Sequence, residues 1–156
     1  MAEFAARVEQ ARERWNAGDL PGYLSLYDEA IRLHGYSPEP MNKTAVTGFY
    51  QMIWATMAAE GRPNPLLVFH EALTDNGLYA CRFTMSGVHN GPFMGVPATG
   101  KPYVLPGITI MRFAGDRVIE RWSSADMLGV LIQIGAVAPP AARAPIHESG
   151  SASAAR

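Results

Sequence analysis

The sequence lacks the features that mark several large classes of protein. It has a single cysteine, Cys81, which excludes an internal disulfide framework and a thiolate-rich zinc site. Charged residues make up 17% of the chain, which is below the roughly 25% of an average soluble domain. With 13 Lys and Arg against 14 Asp and Glu, the chain has no surplus of basic charge for a phosphate backbone. We therefore expect no nucleic-acid partner.

Signals for membrane targeting are also missing. The first residues lack the basic start and apolar run of a signal peptide. The longest weakly polar stretch, residues 127–142, is interrupted by glycines and by Pro139-Pro140, and it is too short to span a bilayer. These observations predict a cytoplasmic protein without a membrane partner.

What the sequence does contain is a large apolar fraction. Hydrophobic residues make up 48% of the 156 residues, with eight Met, six Tyr and three Trp among them. This length is enough for one domain with a substantial core, and we predict a single domain over residues 1–137. Residues 138–156 are rich in Ala, Pro and Ser, which is typical of a mobile tail. The apolar surplus indicates an interior that lines a cavity.

The first 61 residues show the spacing of three helices. The first helix has one apolar stripe, formed by Phe4, Val8, Ala11 and Trp15. Asp19 and Asn42 are typical N-caps for the second and third helices, and the apolar stripe of the second helix is predicted to include Tyr27. A short extended segment is predicted over 31–36.

Beyond Pro65 the apolar period changes to two. The pattern predicts strands over 65–74, 78–88, 103–113 and 117–125, followed by a short helix over 127–134. Helices first and strands afterwards indicate an α+β domain with three N-terminal helices on a curved, mainly antiparallel sheet. Such a sheet, closed by helices, forms a cone with an open mouth, and that geometry supplies a pocket.

Alternation along the last three strands predicts which side chains face this pocket. The predicted faces are Tyr79, Cys81, Phe83, Met85 and His89 in the first of these strands, Val104, Ile108, Ile110 and Arg112 in the second, and Val118, Glu120, Trp122, Ser124 and Asp126 in the third.

Several polar residues have both a structural and a functional interpretation. Asp126 is either the N-cap of the last helix or, in an apolar cavity, a general acid or base. Arg112 is either a partner for a nearby carboxylate or a fixed cation that stabilises an oxyanion. His34 and His89 are either hydrogen-bonded structural residues or pocket residues. The two histidines and Asp126 match no local metal-ligand spacing, so no metal is expected.

Three segments carry a family resemblance. Residues 87–100 read GVHNGPFMGVPATG, residues 112–122 read RFAGDRVIERW, and residues 126–129 read DMLG. Together they resemble the SnoaL-like polyketide cyclases, also called ester cyclases, within the superfamily shaped like nuclear transport factor 2 (NTF2). The resemblance covers residues 3–136.

The resemblance implies a cone-shaped NTF2-like fold, a homodimer formed through the sheet, and aldol-type ring closure with no metal and no organic cofactor. It assigns the acid/base aspartate to Asp126. The histidine of characterised cyclases is replaced by Arg112, which keeps a cationic donor but removes a proton-transfer group. His34 and His89 are additional catalytic candidates. The expected substrate contacts are Trp54, Phe83, Met85, Phe93, Met94, Ile108, Ile110 and Trp122.

We therefore expect a cofactor-independent lyase- or isomerase-type enzyme that acts on a small hydrophobic carbonyl compound similar to a polyketide. Two alternatives remain open at this point. One is hydrolysis of an epoxide or a lactone in the same pocket. The other is a protein that binds a hydrophobic ligand without changing it.

Overall fold

A computed structural model describes residues 2–141, and its elements follow the predicted α+β order. The helices and strands of that range are α1 (Ala2–Asn16), α2 (Leu20–Leu24), β1 (Tyr27–His34), α3 (Lys43–Met57), β2 (Leu66–Asp75), β3 (Leu78–Val88), β4 (Pro102–Ala114), β5 (Arg117–Ala125) and α4 (Met127–Gln133). The predicted mobile tail falls mainly on residues 142–156, which lie outside the described residues.

The strands form one sheet in the order β1-β5-β4-β3-β2. Neighbouring strands are antiparallel, except that β1 runs parallel to β5. The prediction that Tyr27 belongs to the second helix is wrong. Strand pairing has already begun before this residue, because the Val118 N–H donates to the Leu26 carbonyl at 2.8 Å.

The predicted faces are correct for β3 and wrong for β4. In β3 the residues buried against the helices are Tyr79, Cys81, Phe83 and Met85. In β4 the buried residues are instead Tyr103, Leu105, Thr109, Met111 and Phe113, while the predicted Val104, Ile108, Ile110 and Arg112 lie on the outer face. Both faces of β4 carry apolar side chains, so alternation alone does not select the inner one.

A bulge makes the predicted face wrong in β5 as well. Two consecutive residues of β4 pair with Val118 and Glu120, so Ile119 is an extra residue in the strand. Side chains beyond this bulge change face. Arg121 turns toward the helices, where it is 3% exposed, and Trp122 turns to the outer face.

The helices cover the inner face of the sheet and make close contacts with it. The Trp15 indole donates to the Pro65 carbonyl at 2.7 Å, and the Tyr103 hydroxyl donates to the Met57 carbonyl at 2.7 Å. The Thr56 carbonyl accepts from two backbone N–H groups of the β3–β4 loop, at residues 90 and 91. The end of α3 is therefore fixed to both the sheet and this loop.

The outer face of the sheet carries exposed apolar side chains, among them Val104, Ile108 and Ile110. The homodimer expected from the family resemblance would cover this face, and it stays a prediction. Within residues 2–141, no helix has the length and hydropathy needed to cross a membrane.

A substitution at Gly87 tests how closely β3 must approach α3. A Cβ at this position would lie 2.3 Å from the Met57 carbonyl oxygen, so Gly87→Ala should lower the free energy of unfolding by roughly 1–3 kcal/mol. Gly48→Ala is the control, because a Cβ there meets nothing within 4 Å and alanine favours a helix by roughly 0.5–1 kcal/mol. Urea unfolding measures both changes. Equal stability of the two variants would contradict the close packing.

Candidate active site

A cavity lies between the inner face of the sheet and the helices. Most of its wall is aromatic or aliphatic. Helix α3 contributes Phe49, Tyr50, Ile53 and Met57, and the strands contribute Leu67, Phe83, Met85, Tyr103 and Leu105. Trp15 and Tyr23 close the wall at the side of α1 and α2. A mostly apolar wall of this kind, with a few polar atoms, is typical of small-molecule sites.

The cavity is narrow and opens on one side. The cavity volume is about 40 Å³, within about 580 Å³ of space free of protein atoms that includes the open mouth. The half-buried wall residues Tyr36, Phe49 and Met127 indicate the mouth. A ligand larger than a few water molecules therefore needs the flexible methionine side chains of the wall to move.

Arg121 brings a positive charge to this wall, and neutral oxygens hold it there. Its Nε donates to the Thr109 hydroxyl at 2.8 Å. Its Nη1 lies 3.0 Å from the hydroxyl oxygens of both Tyr23 and Tyr50 and also bonds to the hydroxyl of Tyr27. These partners come from α2, β1, α3 and β4, so four elements position one guanidinium.

The charge has no acidic partner within the described residues. No Asp or Glu of residues 2–141 forms an ion pair with Arg121. Burial opposes the charged form of Arg121 and acts to lower its pKa. The phenol oxygens, with the largest effect from Tyr27, keep this pKa well above the usual value. Burial raises the pKa of Tyr27 and Tyr50, against the effect of the Arg121 charge. At neutral pH the site is therefore a cation surrounded by neutral phenols.

One nitrogen of Arg121 remains for a ligand. Nη2 has no hydrogen-bond partner among residues 2–141. It is also not among the fully enclosed atoms without a partner, which belong to Trp54, Asn64 and His89. Nη2 therefore keeps a small accessible surface, and Arg121 lines the cavity. A donor of this kind in an apolar site can bind a carbonyl oxygen or an anion and stabilise developing negative charge.

Three of the predicted substrate contacts do line the cavity. Phe83 and Met85 project from β3, and Phe93 enters from the β3–β4 loop. The loop folds back on itself there, because the backbone of Phe93 pairs with that of Val96. The role of these three residues as substrate contacts stays a prediction.

Other predicted site residues meet on the opposite face of the sheet. His34 Nε2 lies 3.0 Å from one carboxylate oxygen of Glu120, and Arg112 Nε lies 3.8 Å from the other. The Trp122 ring stacks on His34 at 5.5 Å and lies 5.6 Å from the guanidinium carbon of Arg112. The prediction that Arg112 and Trp122 face the pocket is wrong because of the strand register, and His34 does not reach the cavity wall. Of the two interpretations of Arg112, the structure shows the partner of a nearby carboxylate, Glu120.

Four further predicted contacts lie outside the cavity wall. Ile108 and Ile110 are 56% and 40% exposed on the outer face, and Met94 is 61% exposed at the tip of its loop. The Trp54 ring packs edge-on against that of Trp15 at 5.2 Å, so it supports the wall from behind.

Of the two interpretations of Asp126, the structural one, a helix N-cap, is seen in the described residues. It is the N-cap of α4, and its carboxylate accepts from the Gly129 N–H at 2.8 Å. Its side chain is exposed, so the burial that would make it a desolvated base in the cavity is missing. The next residue, Met127, does line the cavity. Asp126 therefore lies just outside the mouth.

His89 is fully buried beneath the β3–β4 loop, and it is not part of the cavity wall. Its Nδ1 lies 3.0 Å from the Thr99 hydroxyl and 3.3 Å from the Thr99 backbone nitrogen. These contacts fit the structural interpretation, in which His89 holds the loop that carries Phe93.

Sequence reasoning missed Arg121 and its tyrosines. Alternation counted from Val118 put Arg121 on the outer face, because a bulge leaves no local signal in the sequence. Tyr23 and Tyr50 belong to apolar helical stretches, which predict core packing and not a polar cluster. Among residues 2–141, no three His, Cys, Asp or Glu side chains lie together as a metal site would require. The absence of a metal and of a cofactor stays a prediction.

The cone and its cavity define an NTF2-like α+β protein. Comparison with solved structures supports this class. AclR of Streptomyces galilaeus, a proposed hydroxylase, is 23% identical with a TM-score of 0.77, over 88% of this chain and 98% of that one. IdmH of Streptomyces antibioticus, a proposed polyketide cyclase, is 24% identical with a TM-score of 0.69, over 84% and 97%. An NTF2-like protein of Burkholderia pseudomallei is 16% identical with a TM-score of 0.68, over 86% and 99%.

A family comparison gives the narrower assignment. The SnoaL-like polyketide cyclase family matches residues 5–134. The chain therefore belongs to the SnoaL-like polyketide cyclase family, and this membership supports the predicted enzymatic role. The comparison with curated protein sequences finds no match.

Two substitutions separate the capping role of Asp126 from a role of its charge. Asp126→Ala removes the acceptor of the Gly129 N–H and should lower the free energy of unfolding by about 1 kcal/mol, whereas Asn caps as well as Asp. Asp126→Asn should therefore unfold at nearly the wild-type urea concentration. If both variants are as stable as the wild type, the capping contact contributes nothing measurable.

Proposed function

We propose that this protein is an enzyme that binds a hydrophobic carbonyl compound in the cavity and stabilises its oxyanion with Arg121. The single observation that carries the proposal is the Arg121 guanidinium, which is buried in an apolar wall with Nη2 unpaired among residues 2–141. A preorganised donor in a water-poor site stabilises negative charge much better than water does, because it needs no reorganisation during the reaction.

Aldol-type ring closure is the reaction that best uses this donor. Loss of a proton next to a carbonyl places negative charge on the carbonyl oxygen, where Nη2 of Arg121 would hold it. The enolate carbon then forms a bond to a second carbonyl carbon of the same molecule. The electron pair of that carbonyl moves to its oxygen, which takes a proton and becomes a hydroxyl group.

Phenols of the wall serve as donors in this scheme. Burial raises the pKa of Tyr36 despite the opposing Arg121 charge, so the phenol stays protonated at neutral pH. Tyr36 lines the cavity and supplies a hydroxyl that can donate to the new alkoxide. Because no carboxylate or imidazole lines the described wall, the substrate loses its proton to water and not to a side chain. Asp126 is exposed just outside the mouth, so a role as acid or base would operate through water and not by direct contact.

A ligand-binding protein without chemistry is the second candidate. The observation in its favour is the wall itself. Among the described residues that line the cavity, the ionisable side chains are Arg121, four tyrosines and no carboxylate or imidazole. None of these accepts a proton readily at neutral pH. Recovery of a tightly bound ligand, unchanged after prolonged incubation, would favour this candidate over catalysis.

Turnover of a panel of aromatic β-keto esters, each carrying a second ketone placed for intramolecular aldol ring closure, tests the enzymatic proposal. Arg121→Gln should lower kcat/KM by roughly a hundredfold to a thousandfold, which is the loss measured when one oxyanion donor is removed. Arg82→Gln is the control, because Arg82 is exposed on the sheet and pairs with Glu71. Product is followed by chromatography, and folding by circular dichroism. A folded Arg121→Gln enzyme with wild-type turnover would exclude Arg121 from the reaction.

A further inference from the structure

We infer that the ligand occupies the cavity as a monoanion: one oxyanion, either a carboxylate or an enolate, on an otherwise apolar body. Arg121 is the residue that recognises the charge. This inference rests on the proposed function and deepens it by naming the chemical class of the substrate.

The first argument is the uncompensated charge. Arg121 is 3% exposed, and its hydrogen-bond partners among residues 2–141 are neutral hydroxyl groups. A buried charge without a counterion is costly, and buried charges in proteins are normally paired. A neutral ketone would offer one hydrogen bond and leave the charge uncompensated. An anion would supply the missing counterion.

The second argument is the number of donors. Nε and Nη1 of Arg121 are already bonded to hydroxyl oxygens, so the donors of Nη2 remain. The described cavity wall has no second cation and no lysine. One unused nitrogen suits a single oxyanion, whereas a phosphate dianion would need several donors and more charge. The rest of the ligand meets aromatic rings and methionines, so it is apolar.

The third argument concerns the proton. No carboxylate or imidazole lines the cavity within residues 2–141, so the described wall offers no base for a neutral substrate. A substrate that ionises in water before it binds needs none. Carboxylic acids are ionised in neutral water and the enols of 1,3-dicarbonyl compounds are ionised in small part, and both present an oxyanion to Nη2.

Binding of 2-naphthoate and 2-naphthamide to the full chain tests the inference. The two probes have nearly the same shape and differ in charge. Wild-type protein should bind the carboxylate tighter by roughly tenfold to a hundredfold, as expected for a hydrogen bond to a charged group. Titration calorimetry measures both constants, and Trp15 in the wall provides a fluorescence signal. Equal affinities would overturn the inference.

Substitutions show which residue causes the preference for the carboxylate over the amide. Arg121→Met should abolish it, and Arg121→Lys, which keeps the charge but not the fork of donors, should retain part of it. Arg82→Met removes an exposed arginine of the outer face and should leave the preference unchanged. If Arg121→Met does not fold, the wild-type comparison still tests whether the carboxylate is preferred. The lysine variant still tests whether the preference depends on Arg121. A preference that survives in folded Arg121→Met would overturn the assignment to Arg121.

A nitrophenol distinguishes the two kinds of oxyanion, because its ionised form absorbs at a longer wavelength. If Arg121 recognises enolate-type oxygens, bound nitrophenol should be ionised at a pH at which the free compound is neutral. Ionisation on binding supports an enolate ligand, and its absence together with a naphthoate preference supports a carboxylate ligand. The outcome is independent of turnover. Equal probe affinities with an inactive Arg121→Gln enzyme would refute the monoanion and leave the proposed function standing.

Discussion

The structure depends on one buried cation that is held by neutral oxygens. Arg121 bonds to hydroxyl groups from β4, α2, β1 and α3, so it joins the middle of the sheet to the helices that cover it. The same contacts fix the direction of its remaining nitrogen. Packing and function are therefore coupled at this residue, since any change that releases the guanidinium also disturbs the cavity wall.

The aromatic surroundings make this arrangement stable. Trp15 packs edge-on against Tyr23 at 4.8 Å and against Tyr50 at 5.5 Å, and edge-on contacts of this kind favour a fixed ring position. Rings held in this way keep their hydroxyl groups on Arg121. The composition, poor in charge and rich in aromatic residues, thus serves two purposes: it builds the apolar wall, and it provides the polar atoms that hold Arg121.

The sequence was sufficient to predict the order of the elements and the α+β cone, because helical and strand periods are local properties. It was also sufficient for the inner face of β3, where Phe83 and Met85 line the cavity. It failed for β4, whose two faces are both apolar, and for Arg121, whose direction depends on the extra residue Ile119. For Asp126, both interpretations were visible in the sequence; the structure shows the exposed cap, and the catalytic role stays a prediction. Register, bulges and solvent exposure depend on distant strands, and no local pattern contains them.

The Thr56 carbonyl accepts two hydrogen bonds from N–H groups of the β3–β4 loop, and this has a mechanical consequence. These hydrogen bonds tie the loop that carries Phe93 to the end of α3, so that the loop and the helix form one continuous wall. The opposite rim is α4, a helix of seven residues that brings Met127 and Val130 to the cavity. This rim is fixed as well, because the Gln133 side chain at the end of α4 forms two hydrogen bonds with the Val104 backbone. Room for a ligand then comes from the side chains of the wall, while the buried end of the ligand meets the same guanidinium.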